Sequence, residues 1–255
     1  MGSTEQDDVA ILGGSFAKVD PQSLTDRIYV QFRERLMRGE LKPHQRLRIR
    51  DMARELGTSE TPVREAVFQL VRDNALELKP RHYVRVRQLS LSEYIEIRDI
   101  RLMLEPMAAE RALPHIDAAA IDELARIHDD LVAAEADRDY DRAIQANFDF
   151  HFGLYRRSQM RGLIRILEAL WIQVGPLLNF LYPYGHPTYA GLHQHVNALN
   201  ALRRGDGVEL AEAVRNDLIE GGRKFIAHLE DLENRTDGGG RDSGPGYMMH
   251  SGAFK

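Results

Sequence analysis

Apolar residues recur at helical spacing over most of this chain, and between the runs stand residues that start and stop helices. Leu24, Ile28, Phe32 and Leu36 share one face and predict a helix from a cap at Ser23 to about Arg38. Gly39 ends it, and Leu41-Lys42-Pro43 reads as a turn. Ile49 to Leu56 reads as a short second helix stopped by Gly57. A third opens at Ser59 or Thr61, with Pro62 in its first turn, where a missing N–H costs little. Its inner face is Val63, Ala66, Val67, Leu70 and Val71. Leu76 to Leu78 and Tyr83 to Val86 then read as short strands around Pro80-Arg81-His82. Three helices and a two-stranded wing in this order spell a winged helix-turn-helix.

From Ser90 onward the pattern is helical. Ser92 to Ala112, capped by Ser92, Ala118 to Ala136, and Tyr140 to Ser158 give three helices. Leu163 to Leu181 gives a fourth, bent or broken near Gly175-Pro176. After a loop at 182–187, Tyr189 to Arg203 and Val208 to Leu232 complete a bundle of six, with no strand signal. The fold class expected is mainly α. Residues 1–19 are expected to be a flexible arm, 20–89 a winged helix-turn-helix, 90–232 an all-helical domain, and 233–255 a disordered Gly/Ser-rich tail.

Composition narrows the classes. The chain lacks cysteine, which removes disulfides, thiolate metal sites and thiol redox sensing. Apolar runs read as too short and too interrupted by charge to cross a bilayer, and the polar start does not resemble a signal peptide. No membrane role and a cytoplasmic location are therefore expected. Residues 20–90 hold 15 Lys/Arg against 10 Asp/Glu, a net of +5, while the remainder carries −10. Such a division suits a first domain that meets a polyanion, although a solvated surface accounts for so small a surplus equally well.

The segment Leu47-Arg48-Ile49-Arg50-Asp51-Met52-Ala53-Arg54-Glu55-Leu56-Gly57-Thr58-Ser59-Glu60-Thr61-Pro62-Val63-Arg64-Glu65-Ala66-Val67 resembles the DNA-binding domain of GntR-family regulators. Thr61 to Ala66 is its most specific part. The later helices resemble the FCD effector domain of the FadR branch, through Asp99 to Glu105, Asn147 to His151, and His195 to Asp206. Six helices suggest the shorter, VanR-like subgroup. The resemblance implies a homodimer on a double-stranded, inverted-repeat DNA operator, released by a small-molecule effector, with residues 90–232 as the effector-binding and dimerisation domain.

On the DNA side, a helix N-terminus aimed at the major groove offers free N–H groups to phosphate, and Ser59 and Thr61 add hydroxyls. Arg64 lies about one turn in, where a guanidinium forks onto guanine; the bland alternative is a surface ion pair. Arg50 matches a family position that reaches DNA, and Arg81 and His82 on the wing would follow the backbone or minor groove. Glu60 departs from the family, standing where many relatives carry Arg. It would either accept from cytosine N4 or repel phosphate.

The FCD resemblance also implies a divalent metal. Asn147 and His151 are an i, i+4 pair on one helix face, His195 matches a second histidine position, and Asp217 falls near the place of a third. One amide, two imidazoles and one carboxylate suit Zn, Ni, Mn or Fe. The alternative is two hydrogen-bonded core histidines. His193, two residues from His195 on an expected helix, would face the surface. Arg101 matches a position that clamps a carboxylate effector, or it simply pairs with Glu105. Trp171 would line the cavity or serve as core. Two other readings stay open: a metal-free sensor of an apolar or acyl ligand, and a helical metalloenzyme, which lacks a convincing general base. The chain is not expected to be an enzyme.

Overall fold

In the computed structural model, residues 24–79, 83–182 and 193–237 are described. Helix α1, Leu24–Met37, buries Ile28, Phe32 and Leu36 as their spacing predicts, with Met37 added, while Leu24 at its first turn is exposed. Its cap at Ser23 lies outside the described residues. Helix α2, Ile49–Glu55, ends in a turn where Gly57 takes φ +64, a left-handed conformation that glycine adopts at little cost. Helix α3, Glu60–Arg72, turns Val63, Ala66, Val67 and Leu70 onto α1 and has Ser59 at its N-cap.

The wing has one strand more than expected. Strands β2, Leu76–Lys79, and β3, Tyr83–Val86, pair antiparallel with Leu76 opposite Val86 and Leu78 opposite Val84. A third strand, β1, Arg46–Leu47, pairs with the other edge of β3, so that the order is β1-β3-β2. Two residues carry no alternation, and only closure of the fold against β3 makes them a strand. The wing tip with Arg81 and His82 lies outside the described residues.

The second region is the six-helix bundle among the described residues. Helix α4, Leu91–Ala112, starts one residue earlier than expected, because Ser90 and not Ser92 caps it. The Ser90 side chain accepts from the Glu93 N–H while the Glu93 carboxylate accepts from the Ser90 N–H. Helices α5, Ala118–Asp137, and α6, Tyr140–Tyr155, are capped by Asp117 and Asp139. Helix α7, Arg161–Val174, tightens into a 3-10 segment, Gly175–Phe180, at the expected Gly-Pro break. Helix α8 is Gln194–Arg204; the onset expected at Tyr189 lies outside the described residues. Helix α9, Gly207–Asp237, runs past Glu233 into the segment expected to be disordered. The stretch Arg161–Phe180 also corrects the reading of apolar runs: by length and composition alone it would span a bilayer, yet half of it is buried in the fold.

Within α4, Pro106 has no N–H to give the carbonyl of Leu102, and an unmet buried carbonyl is costly. The Arg215 guanidinium reaches across from α9 and donates to that oxygen at 3.0 Å. A helix that proline would weaken is thereby joined to its main packing partner.

The two regions are also in direct contact. Gly175 lies so close to α1 that an added Cβ would sit 2.2 Å from the Leu36 carbonyl oxygen, which leaves no room for a side chain. Asn179 donates to the carbonyl of Gly39 at 2.7 Å, and Arg33 and Arg38 pair with Glu168 and Asp149 at 3.0 and 2.7 Å.

Replacing Arg215 by Ala should cost about 1 kcal/mol in urea unfolding. In a Pro106→Ala background the restored N–H takes over the Leu102 carbonyl, so the same change should cost measurably less. Equal losses in both backgrounds would separate Arg215 from the proline.

Candidate functional sites

The first candidate site is an open groove on the winged helix. It is lined by Arg46, Arg48 and Arg50 before and within α2, by Glu60 and Arg64 on α3, and by Tyr83 on β3. Arg50, Ser59, Glu60, Thr61 and Arg64 are all exposed, as a contact surface requires. The alternative stated for Arg64 is also present: its guanidinium pairs with Glu60 one turn earlier at 3.3 Å. At this exposure such a pair is worth little and opens readily. Two arginines not singled out from the sequence complete the groove. Arg46 rests its guanidinium 4.8 Å from the Tyr83 ring centroid, and Arg48 is exposed at the N-cap of α2.

The second candidate site lies inside the bundle. A cavity of about 60 Å³ is lined by Arg101, Asn147, His151, Trp171, His193 and Asp217 among its polar and aromatic groups, and by Ile144, Val174 and Leu178 on the side toward α1. Bonded to two of these lining residues, Arg101 and Trp171, is Glu105, fully buried on α4. Its carboxylate accepts from Arg101 Nε at 2.6 Å, from the Trp171 indole N–H at 2.6 Å and from the Tyr155 hydroxyl at 2.8 Å. Arg101 therefore makes the ion pair, and its guanidinium also lies 4.6 Å from the Trp171 ring centroid. Among the described residues neither Nη nitrogen of Arg101 donates a hydrogen bond, and the side chain lines the cavity. Burial opposes its charge, but the Glu105 carboxylate prevails and raises its pKa. Burial, helped by Glu105, drives the Tyr155 hydroxyl well above the usual phenol range.

The network continues to the candidate metal ligands. Tyr155 gives its only proton to Glu105, so at 3.1 Å it accepts from His151 Nδ1–H. Neutral His151 is then left with a lone pair on Nε2. That nitrogen faces Asp217 Oδ2 at 3.2 Å and His195 Nε2 at 3.4 Å. Burial opposes ionisation of Asp217, but the hydrogen bond and positive charge that His151 supplies when it carries a proton on Nε2 as well win and lower its pKa. Burial holds His195 well below the usual imidazole range, with the neighbouring histidines adding to the effect.

His151, His195 and Asp217 each offer a ligand atom within 4.8 Å of the others, and Asn147 borders the same cavity one turn before His151. This N/N/O donor set, with an amide beside it, fits a borderline divalent cation, and three lone-pair donors meeting in a buried site favour one electrostatically. Such an ion would supply open coordination positions for an anionic ligand.

Two histidines depart from the expectations from sequence, His193 in its direction and His128 in being absent from them. His193 does not face the surface. It is half-buried, sits in extended backbone as the N-cap of α8, and accepts from the His195 N–H through Nδ1 at 3.0 Å. The rule that i and i+2 face apart on a helix fails because His193 is not yet in one. Burial pushes its pKa down to about 4. His128, on α5, packs at ring centroids of 5.0 Å from His193 and 5.5 Å from His195. Its spacing after Leu124 and before Leu131 could have shown that it points inward.

A winged helix-turn-helix joined to a cavity-bearing helical bundle defines a class of ligand-responsive transcription regulators. Residues 24–86 match the family model of bacterial regulatory proteins of the gntR family, and residues 96–219 match the FCD domain. The chain belongs to the GntR family, with an FCD domain as its second region. It is 33% identical over 218 residues to the HTH-type transcriptional regulator McbR of Escherichia coli (strain K12), covering 86% of this chain and 98% of that protein. It is 33% identical over 164 residues to a probable D-xylose utilization operon transcriptional repressor of Paenarthrobacter nicotinovorans, covering 64% and 70%. The solved structure of E. coli McbR/YncC superposes with a TM-score of 0.70, covering 84% of this chain and all of the other. These relatives are named as transcription regulators and none as an enzyme.

Glu105→Ala would leave the Arg101 charge buried and unpaired, and strip an acceptor from Trp171 and Tyr155. The expected loss is about 3–5 kcal/mol in denaturant unfolding. A loss below about 1 kcal/mol would mean that the network does not hold the bundle together.

Proposed function

We propose that this chain is a cytoplasmic, homodimeric repressor that leaves an inverted-repeat operator when a small carboxylate binds in the FCD cavity beside a divalent metal. The observation that carries the reading is the convergence of His151 Nε2, His195 Nε2 and Asp217 Oδ2 beside a buried arginine whose Nη nitrogens donate no hydrogen bond among the described residues. His151, His195 and Asp217 would hold the ion and Asn147 would complete it; the donor set leaves Zn, Ni, Mn and Fe open. Arg101 would clamp the carboxylate, with Trp171 beneath its guanidinium. The 3.2 Å contact between His151 Nε2 and Asp217 Oδ2, which one proton on Nε2 would make a hydrogen bond, supports a second reading, in which the bundle senses its ligand without metal.

At the other end, Arg50, Ser59, Thr61 and Arg64 would meet the major groove, with Arg46 and Arg48 on neighbouring phosphate and Arg81 and His82 on the wing backbone contacts. A dimer is needed because one winged helix reads too few base pairs to find a genomic site. The signal has two routes. One is α4, whose first turn is tied to the wing by Arg87–Glu93 and to α9 by Leu91 N–H on Glu233. The other is the segment Gly175–Phe180: Val174 and Leu178 face the cavity while Gly175 and Asn179 grip α1. A ligand that moves either route would change half-site spacing, and a coupling of about 1–3 kcal/mol gives a roughly 5–150-fold fall in affinity.

Arg64→Ala should cost about 1–3 kcal/mol on the operator and relax its sequence preference. Glu60→Gln, which frees Arg64 from its intramolecular pair, should shift preference in a selection on randomised half-sites if Glu60 reads a base. If Glu60 only repels phosphate, affinity should rise evenly on all DNA. Arg64→Ala binding that matched wild type on every sequence would remove the base-reading role.

The sensing site is tested by His151→Ala combined with His195→Ala. The double variant should lose metal retention and should lose the thermal shift that small mono- and dicarboxylates give the wild type, while keeping operator affinity. An undiminished response to a carboxylate active on wild type would favour the metal-free reading.

A further inference from the structure

The bundle contains a second cluster of donors, of which the metal site above uses only His195. His128 on α5, His193 before α8 and His195 on α8 each offer a ligand atom within 4.8 Å of the others. The three rings are mutual neighbours, with centroids 5.0 Å apart for His128 and His193, 5.5 Å for His128 and His195, and 4.3 Å for His193 and His195. Two nitrogens there are buried without a hydrogen-bond partner among the described residues: His128 Nδ1 and His195 Nδ1. His128 is 7% exposed and His195 1%. Buried polar nitrogens left unmet are costly, and their persistence calls for a partner that belongs in the site.

His195 connects the two clusters. Its Nε2 edge faces His151, and its ring is fixed by stacking on Phe150 at a centroid distance of 3.8 Å. Its Nδ1 edge is the one left unmet. We propose that His128, His193 and His195 form a second divalent-metal locus, with His195 shared between two ions through its two ring nitrogens. Three imidazoles select a cation that prefers nitrogen, such as Zn or Ni, over Mg or Ca. For His195 to ligate on both edges, its ring proton passes to solvent as the second ion binds. A shared ring makes the occupancy of one locus felt at the other. The proposal rests on the first site only for this sharing.

The test is metal content of the untagged full-length chain, stripped with chelator, loaded with Zn²⁺ or Co²⁺, gel-filtered and analysed by elemental mass spectrometry. Two ions per chain are expected for wild type. His128→Gln should retain one, and so should His151→Gln. His193→Gln, at a half-buried position, is the second variant should His128→Gln not fold, as judged by its melting curve, and it too should retain one. A wild type that holds two ions whatever is done at His128 and His193 overturns the proposal. So does a wild type with one ion that survives both changes, one that is lost on altering His128 and His151 alike, or a wild type with none. One ion lost on altering His128 but kept by His151→Gln would instead remove the first site and keep the second.

Discussion

The bundle depends on the satisfaction of one buried carboxylate. Glu105 lies in the middle of α4 without exposure, where an unpaired charge would be prohibitive. Three donors from three helices meet it: Arg101 on α4, Tyr155 on α6 and Trp171 on α7. Each of these donors acquires its other role through that contact. Arg101 is held with its Nη nitrogens toward the cavity, Trp171 is turned beneath it, and Tyr155 is left able only to accept from His151. The tautomer of His151, and with it the lone pair available beside Asp217, follows from the proton that Tyr155 gives away.

The same economy of donors recurs elsewhere. Pro106 removes an N–H from α4, and Arg215 supplies the missing donor from α9. Gly175 lacks a side chain, and α1 occupies the space. In both places a local deficiency is met by a distant element, which makes it a point of attachment between helices. The contact at Gly175 joins the bundle to the winged helix. Val174 and Leu178 line the cavity, while Gly175 and Asn179 between and beside them meet Leu36 and Gly39.

Much of this architecture was legible in the residues. The stripe Leu24, Ile28, Phe32 and Leu36, the stop at Gly39 and the Thr61 to Ala66 stretch marked the winged helix, and the six helices of the bundle followed from periodicity and caps. The i, i+4 spacing of Asn147 and His151 placed both on one helix face, and both line the cavity. Strand β1 was not legible, because two residues have no period and become a strand only when β3 lies beside them. The cap of α4 was misread by two residues, since Ser90 and Ser92 are equal as sequence and only the reciprocal bond with Glu93 separates them.

By itself the sequence determined the helical periodicity, the order of the two regions and the residue types available as ligands and base readers, because these depend on local spacing and on chemistry carried by single side chains. Tertiary structure decided which donors meet. His128 and His193 come from α5 and from the start of α8, and no spacing in the chain relates them. His193 was assigned outward on the assumption of a helix that begins only at Gln194. Whether Arg101 pairs with Glu105 or faces the cavity also looked like a choice between two roles. Packing gave it both, with Nε on the carboxylate and the Nη nitrogens toward the cavity, because the fork of a guanidinium can meet two environments at once.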